Sequence, residues 1–196
     1  MRKFLSCSLF YLLVFLLEVI PAQAATLTPS EEINRLFSGI QKVFEDETLT
    51  DKAKVERVLP LMYAKLDMAE MSRLVLIRHW NKLTESERKT FVEAFTVLIE
   101  KRFLSKVGAI KGAEIIEISE RIYGGDDAWV NTKVKMQGGS VYEVNYRILK
   151  VEDGWKICGV ELDGISLVSN FRSQYERILK SSTFEMLIGG IRAKSE

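Results

Sequence analysis

Cysteine and histidine are nearly missing from this chain, and their scarcity removes whole classes of chemistry. There are two cysteines and one histidine in 196 residues. Cys7 falls in an N-terminal leader, so Cys158 is left alone and no intramolecular disulfide can form. A lone cysteine inside an apolar strand reads as a small buried hydrophobe. His79 sits between Arg78 and Trp80. It has no Cys, Asp or Glu partners at motif spacing for a triad or a metal site, and reads as a partly exposed helical histidine. No GxSxG, Walker, zinc or dinucleotide fingerprint occurs, so no metal and no cofactor is indicated. Asp126 and Asp127 adjoin, but after Gly124 and Gly125 they read as turn chemistry rather than a carboxylate pair. Repeats and low-complexity segments are absent too.

What is present begins with a secretory signal peptide over residues 1–24. Arg2 and Lys3 form its positive start, and Phe4 to Val19 are apolar apart from Ser6, Cys7, Ser8 and Glu18. Ala22-Gln23-Ala24 is a small-x-small cleavage site. The apolar run falls short of the roughly 20 residues a retained membrane anchor needs, and no second run is long enough to span a bilayer. Cys7 has no apolar run before it, which argues against a lipoprotein cysteine. Without Arg2, Lys3 and Glu18 the chain has 26 basic and 26 acidic residues. That neutrality gives no electrostatic footprint for nucleic acid. Residues 25–196 make one domain of ordinary size. Export without disulfides suits a bacterial periplasm.

The first half of the mature chain reads as helix. Thr28-Pro29-Ser30-Glu31 has capping-box spacing, and Ile33, Leu36, Phe37, Ile40, Val43 and Phe44 follow as a stripe. A second helix spans about residues 51–66, with a kink or break expected at Pro60. A third spans 67–80. Thr84-Glu85-Ser86-Glu87 opens the longest, to about Val107, with Phe91, Phe95, Leu98, Ile99 and Phe103 drifting along one side. Its lysines and glutamates read as a solvated face. The period then changes from helical to alternating. Ala113–Tyr123, Ala128–Met136, Tyr142–Ile148 and the strand from Trp155 form a four-stranded antiparallel meander, punctuated by glycine turns. A corner at Gly164 leads to two C-terminal helices. The fold class is therefore α+β: helices packed on a strongly bent antiparallel sheet, an arrangement that can enclose a cavity.

The stretch GWKICGVELDGISLVSNFRSQY, from Gly154 to Tyr175, resembles the MlaC-type, or toluene-tolerance, family of periplasmic lipid carriers. There this region reads W-K-V-Y-D-V, then E-G-V-S-L, then N-Y-R-x-Q-F. Asp67-Met68-Ala69 with Leu74-Val75-Leu76 and Trp80 is similar to a shortened F-D-x-x-x-M-A-x-x-V-L-G-x-x-W. Thr84 to Phe95 is similar to T-x-x-Q-R-x-x-F-x-x-x-F. No piece is specific alone; their order and placement behind a signal peptide are. There are departures. Ile77 stands where glycine is usual, and Phe103 lies near a position often held by tyrosine. Cys158-Gly159 replaces Tyr-Asp, and Asp163 replaces glutamate.

The resemblance implies a non-enzymatic shuttle that carries phospholipid, or a related lipid such as a hopanoid, in outer-membrane lipid asymmetry. Its implied partners are an outer-membrane lipoprotein complex and an inner-membrane ABC transporter complex with an MCE-domain protein. Such a carrier needs apolar walls. Facing and period nominate Phe95, Leu98, Ile99 and Phe103 from the long helix. Val130, Val134, Val144, Tyr146 and Ile148 come from the sheet, and Val160, Leu162 and Phe171 from the C-terminal unit. Arg172 is expected either at the mouth or as a tether from its helix to the sheet. Two other readings stay open. One is an isomerase or dehydratase of the nuclear-transport-factor-like kind, using Asp163 or Glu143 with a tyrosine. The other is a protein-binding adaptor with no cavity.

Overall fold

The computed structural model describes residues 27–195; the predicted signal peptide lies outside them. Four helices come first: α1 (Pro29–Glu45), α2 (Asp51–Lys65), α3 (Met68–Trp80) and α4 (Glu85–Val107). A single 3₁₀ turn (Gly108–Ile110) leads into strands β1 (Glu114–Tyr123), β2 (Asp127–Lys135), β3 (Val141–Val151), β4 (Gly154–Leu162) and β5 (Ile165–Ser166). Helices α5 (Leu167–Ser181) and α6 (Phe184–Ala193) close the domain. The strands pair in chain order, each antiparallel to the next.

Local chemistry sets the helix starts. Thr28 and Thr84 both form complete capping boxes, with Glu31 and Glu87 reaching back to the cap backbone. Of the expected kink or break at Pro60, the break does not occur: α2 runs unbroken from Asp51 to Lys65. The carbonyl Pro60 leaves unbonded belongs to Glu56, and both residues lie on the exposed face, where water can serve that carbonyl.

The sheet has five strands rather than the expected four. Asp163 and Gly164 both take positive φ, 47° and 79°, which suits a two-residue hairpin. The chain doubles back there instead of turning into a helix, pairing Leu162 with Ile165 and Glu161 with Ser166. Asp163 also fastens the neighbouring strand. Its N–H donates to the Glu143 carbonyl and its carboxylate accepts from the Glu143 N–H, both at 2.8 Å. Two bulges interrupt the ladders. Ile116 is the extra residue in β1 and Cys158 the extra residue in β4. Such insertions bend a strand and increase its twist.

Three contacts fix the helices to one another and to the sheet. The Asp67 N–H donates to the Ile157 carbonyl at 2.8 Å, pinning the α2–α3 junction beside the β4 bulge. Lys65 lies 2.6 Å from buried Glu32, an ion pair rather than a well-directed hydrogen bond, and it ties α2 to α1. Arg172 Nε donates to the Leu74 carbonyl at 3.0 Å. It therefore tethers α5 to α3 rather than to the sheet, and it does not line the apolar pocket beneath α1. Asp127, the first residue of β2, uses its carboxylate to hold Arg147 of β3 at 2.6 Å, a structural pairing within the sheet.

Most apolar mass lies among α3, α4, α5 and α6. At its centre Phe91 stacks on Phe95, and Phe171 and Tyr175 meet them, mostly edge to face. The Tyr175 hydroxyl is buried there without a hydrogen-bond partner. An unpaired buried hydroxyl costs about 1–3 kcal/mol. Tyr175→Phe is accordingly expected to raise stability, by about 1 kcal/mol, seen as a higher urea midpoint at unchanged slope. A lower midpoint would mean that the hydroxyl is satisfied in solution.

Candidate functional site

Between the sheet and the first helices lies an apolar pocket of about 310 Å³. The stripe of α1 supplies Ile33, Leu36, Phe37 and Ile40. Met62, Leu66 and Met71 come from α2, the junction and α3, and Ile110 from the 3₁₀ turn. Ile99, Arg102 and Phe103 come from α4. The sheet adds Val144, Tyr146, Ile157 and Val160, and α5 adds Leu167. All are apolar except Arg102 and the hydroxyl of Tyr146. Burial pushes the Tyr146 phenol up to about 12, with a hydrogen bond to Thr132 opposing the rise. It therefore stays neutral across the physiological range.

The pocket brings together five residues nominated from the sequence: Ile99, Phe103, Val144, Tyr146 and Val160. The other seven lie elsewhere. Phe95, Leu98 and Phe171 are buried in the helical core. Val130 and Ile148 pack with Ile33 of α1, beside Trp155 and Ile157. Val134 packs with Phe37 and Ala113. Leu162 is 49% exposed beside the β4–β5 turn. The whole α1 contribution went unnominated. Its stripe is plain in the sequence, but periodicity cannot say which part of a sheet a helix covers. Glu143 and Asp163, the acid candidates of the enzyme reading, are exposed and do not line the pocket. Among the described residues no group of His, Cys, Asp or Glu is placed to hold a metal ion, and no helix is long and apolar enough to cross a membrane.

The sequence profile of the MlaC protein family matches residues 31–193. The chain belongs to the MlaC family. No curated protein matches its sequence. Among solved structures, it is similar to a phospholipid-binding protein from Ralstonia solanacearum, determined in complex with a phospholipid. The two share 13% identity and a TM-score of 0.73, over 86% of this chain and 97% of that one. At that identity the likeness is one of fold.

Where this chain departs from the MlaC pattern, the structure gives the residues concrete places. Ile77 is exposed on α3, so a side chain is accommodated where glycine is usual. Phe103 forms pocket wall, without the hydroxyl a tyrosine would bring. Gly159 lies where a Cβ would come within 3.4 Å of Arg147 Cβ, a tight approach eased by glycine. Cys158 points away from the pocket into the helical core. Burial pushes its thiol up to about 12, and nearby Arg147 offsets this only partly. At pH 8 its thiolate fraction is then about 10³ times lower than that of a free cysteine of pKa near 8.5. Because Cys158 is also fully buried, iodoacetamide is expected to modify it at least about 10³-fold more slowly in the native protein than in urea. Comparable rates would show that the thiol is reached without unfolding.

Proposed function

We propose that this MlaC-family protein binds a lipid in the pocket beneath α1 and ferries it through the periplasm between the outer and inner membranes. Phospholipid is the first candidate, with a hopanoid-like lipid as the variant. The supply and delivery partners are an outer-membrane lipoprotein complex and an inner-membrane ABC transporter complex carrying an MCE-domain protein. The protein performs no covalent chemistry in this reading. The carrying observation is the pocket itself, whose walls are apolar save for one charged residue and one phenol. Family membership and the phospholipid bound to the Ralstonia solanacearum relative support it.

Magnitudes fit a carrier. An apolar cavity of about 150 Å³ holds a benzene, six carbons. By that scale the 310 Å³ pocket holds about twelve carbons, most of one acyl chain. At about 0.8 kcal/mol per methylene, burying twelve is worth about 10 kcal/mol. A chain of about 16 carbons resists leaving a bilayer by on the order of 12 kcal/mol. For a single chain, pocket and membrane are thus close to balance, which lets that chain both enter and leave. A second chain requires α1 and the sheet to separate further.

The test is purification without detergent, followed by native mass spectrometry and lipid extraction. Lipid at one molecule per protein is expected. An empty protein that also takes nothing from phospholipid vesicles would sink the proposal.

A further inference from the structure

Arg102 differs from every other residue of the pocket. It is the only charged one and the only one largely exposed, the others being buried or, like Val144, Val160 and Leu167, half-buried. An exposed side chain that lines a pocket marks where the pocket opens. Among the described residues its guanidinium takes part in no ion pair and donates no hydrogen bond. Arg57, Arg73, Arg78 and Arg147 are each engaged with a carboxylate. Arg102 is nevertheless held in place. Its Cζ lies 5.3 Å from the centroid of the Phe171 ring, one helical turn along α5 from the lining residue Leu167. A guanidinium resting on an aromatic face retains all its N–H donors at its edge.

We infer that Arg102 selects for an anionic group on the carried lipid, binding a phosphate or carboxylate at the mouth while the chain lies in the pocket. This rests on the lipid reading of the pocket and adds a charge requirement to it. An acyl chain has only one polar anchor at the opening to meet, because the remaining wall is hydrocarbon apart from the Tyr146 hydroxyl. The planar fork of arginine matches two oxygens of one phosphate, which a lysine cannot do. The stacking on Phe171 also means that little side-chain freedom remains to be lost on binding. Mature-chain neutrality therefore conceals a local cationic site at the one place where a headgroup emerges.

The experiment compares two single-chain probes on the delipidated protein: 1-palmitoyl lysophosphatidate and 1-palmitoyl glycerol, which share a chain and differ in charge. Equilibrium binding at low salt is expected to favour the phosphate by at least about tenfold, a charge-assisted hydrogen bond's worth. The preference should shrink at high salt. Arg102→Gln is expected to bring the ratio of the two affinities close to one, and Arg102→Lys to leave an intermediate ratio. Lys101→Gln, an exposed neighbour on α4 outside the pocket, should keep the full preference. Because the ratio is read, any common loss from the missing stacking cancels. Equal affinities in the unmodified protein, or a preference that survives Arg102→Gln, would overturn the assignment while leaving the lipid reading standing. Inorganic phosphate that binds the site as tightly as the anionic probe would overturn it too, since the anion site would then not need the chain. Failure of both probes to bind would take down the lipid reading and this inference together.

Discussion

Val144→Arg is expected to yield a folded protein that carries no lipid. Val144 is half-buried on β3 and forms part of the pocket wall. An arginine there can run its methylene stem along the apolar wall while its charged end reaches water, so the fold avoids burying a charge. The stem then occupies space that an acyl chain would use. Excluding even five methylenes removes about 4 kcal/mol of burial, close to a thousandfold in affinity. Native mass spectrometry should show the bare polypeptide, with circular dichroism unchanged. Asn145→Arg provides the contrast. Asn145 is the next residue on the same strand, and its amide faces Glu161 at 3.4 Å on the sheet's polar side. That variant should retain its lipid. If Val144→Arg still co-purifies with a full complement of lipid, the ligand sits somewhere other than beneath α1.

Much of the fold was legible because its signals are local. Two capping boxes, the glycine turns and the change of period at Gly108–Gly112 are written in short windows, and each element stands close to where its window puts it. The fifth strand was not legible. It depends on Asp163 accepting φ of 47°, and a non-glycine residue in that region is uncommon enough that a simple Gly164 corner was the natural expectation. The pocket was harder still, because a filled core and an open pocket need the same side chains. The stripe of α4 shows how. At 3.6 residues per turn, a step of four residues overshoots a full turn by about 40°. Phe95, Ile99 and Phe103 therefore read as one stripe but wind around the helix. Phe95 faces the α5 and α6 side, Ile99 serves both that core and the pocket, and Phe103 lines the pocket and packs with the cluster of Ile40, Val58, Met62 and Val107 instead. Arg102 was lost for the opposite reason. A charge on a long helix reads as solvated surface, and only the packing of Leu167 and Phe171 beside it reveals its position at an opening.

That winding makes Phe95 the sharpest test of where the core ends and the pocket begins. Phe95 is fully buried and its ring centroid lies 5.5 Å from Phe91, 5.1 Å from Phe171 and 6.3 Å from Tyr175. Truncating such a ring costs about 3–5 kcal/mol through lost burial and the cavity left behind. Against a total stability of about 5–15 kcal/mol, that is a large share. Phe95→Ala is expected to lower the melting temperature by about 10 °C, at roughly 2–4 °C per kcal/mol for a domain of this size. Phe95→Asp puts a carboxylate in place of a fully buried ring, with Arg102 near only at the outer side of Phe171, and is expected not to fold. Phe95→Leu keeps most of the burial. It should lose about 1 kcal/mol and load lipid as fully, per folded molecule, as the unmodified protein. A Phe95→Asp variant that folds normally and purifies empty would contradict this, because a carboxylate is tolerated only where water or the pocket can reach it. The aromatic cluster would then be wall rather than core, and the lipid would extend past Ile99 into the space between α4 and α5.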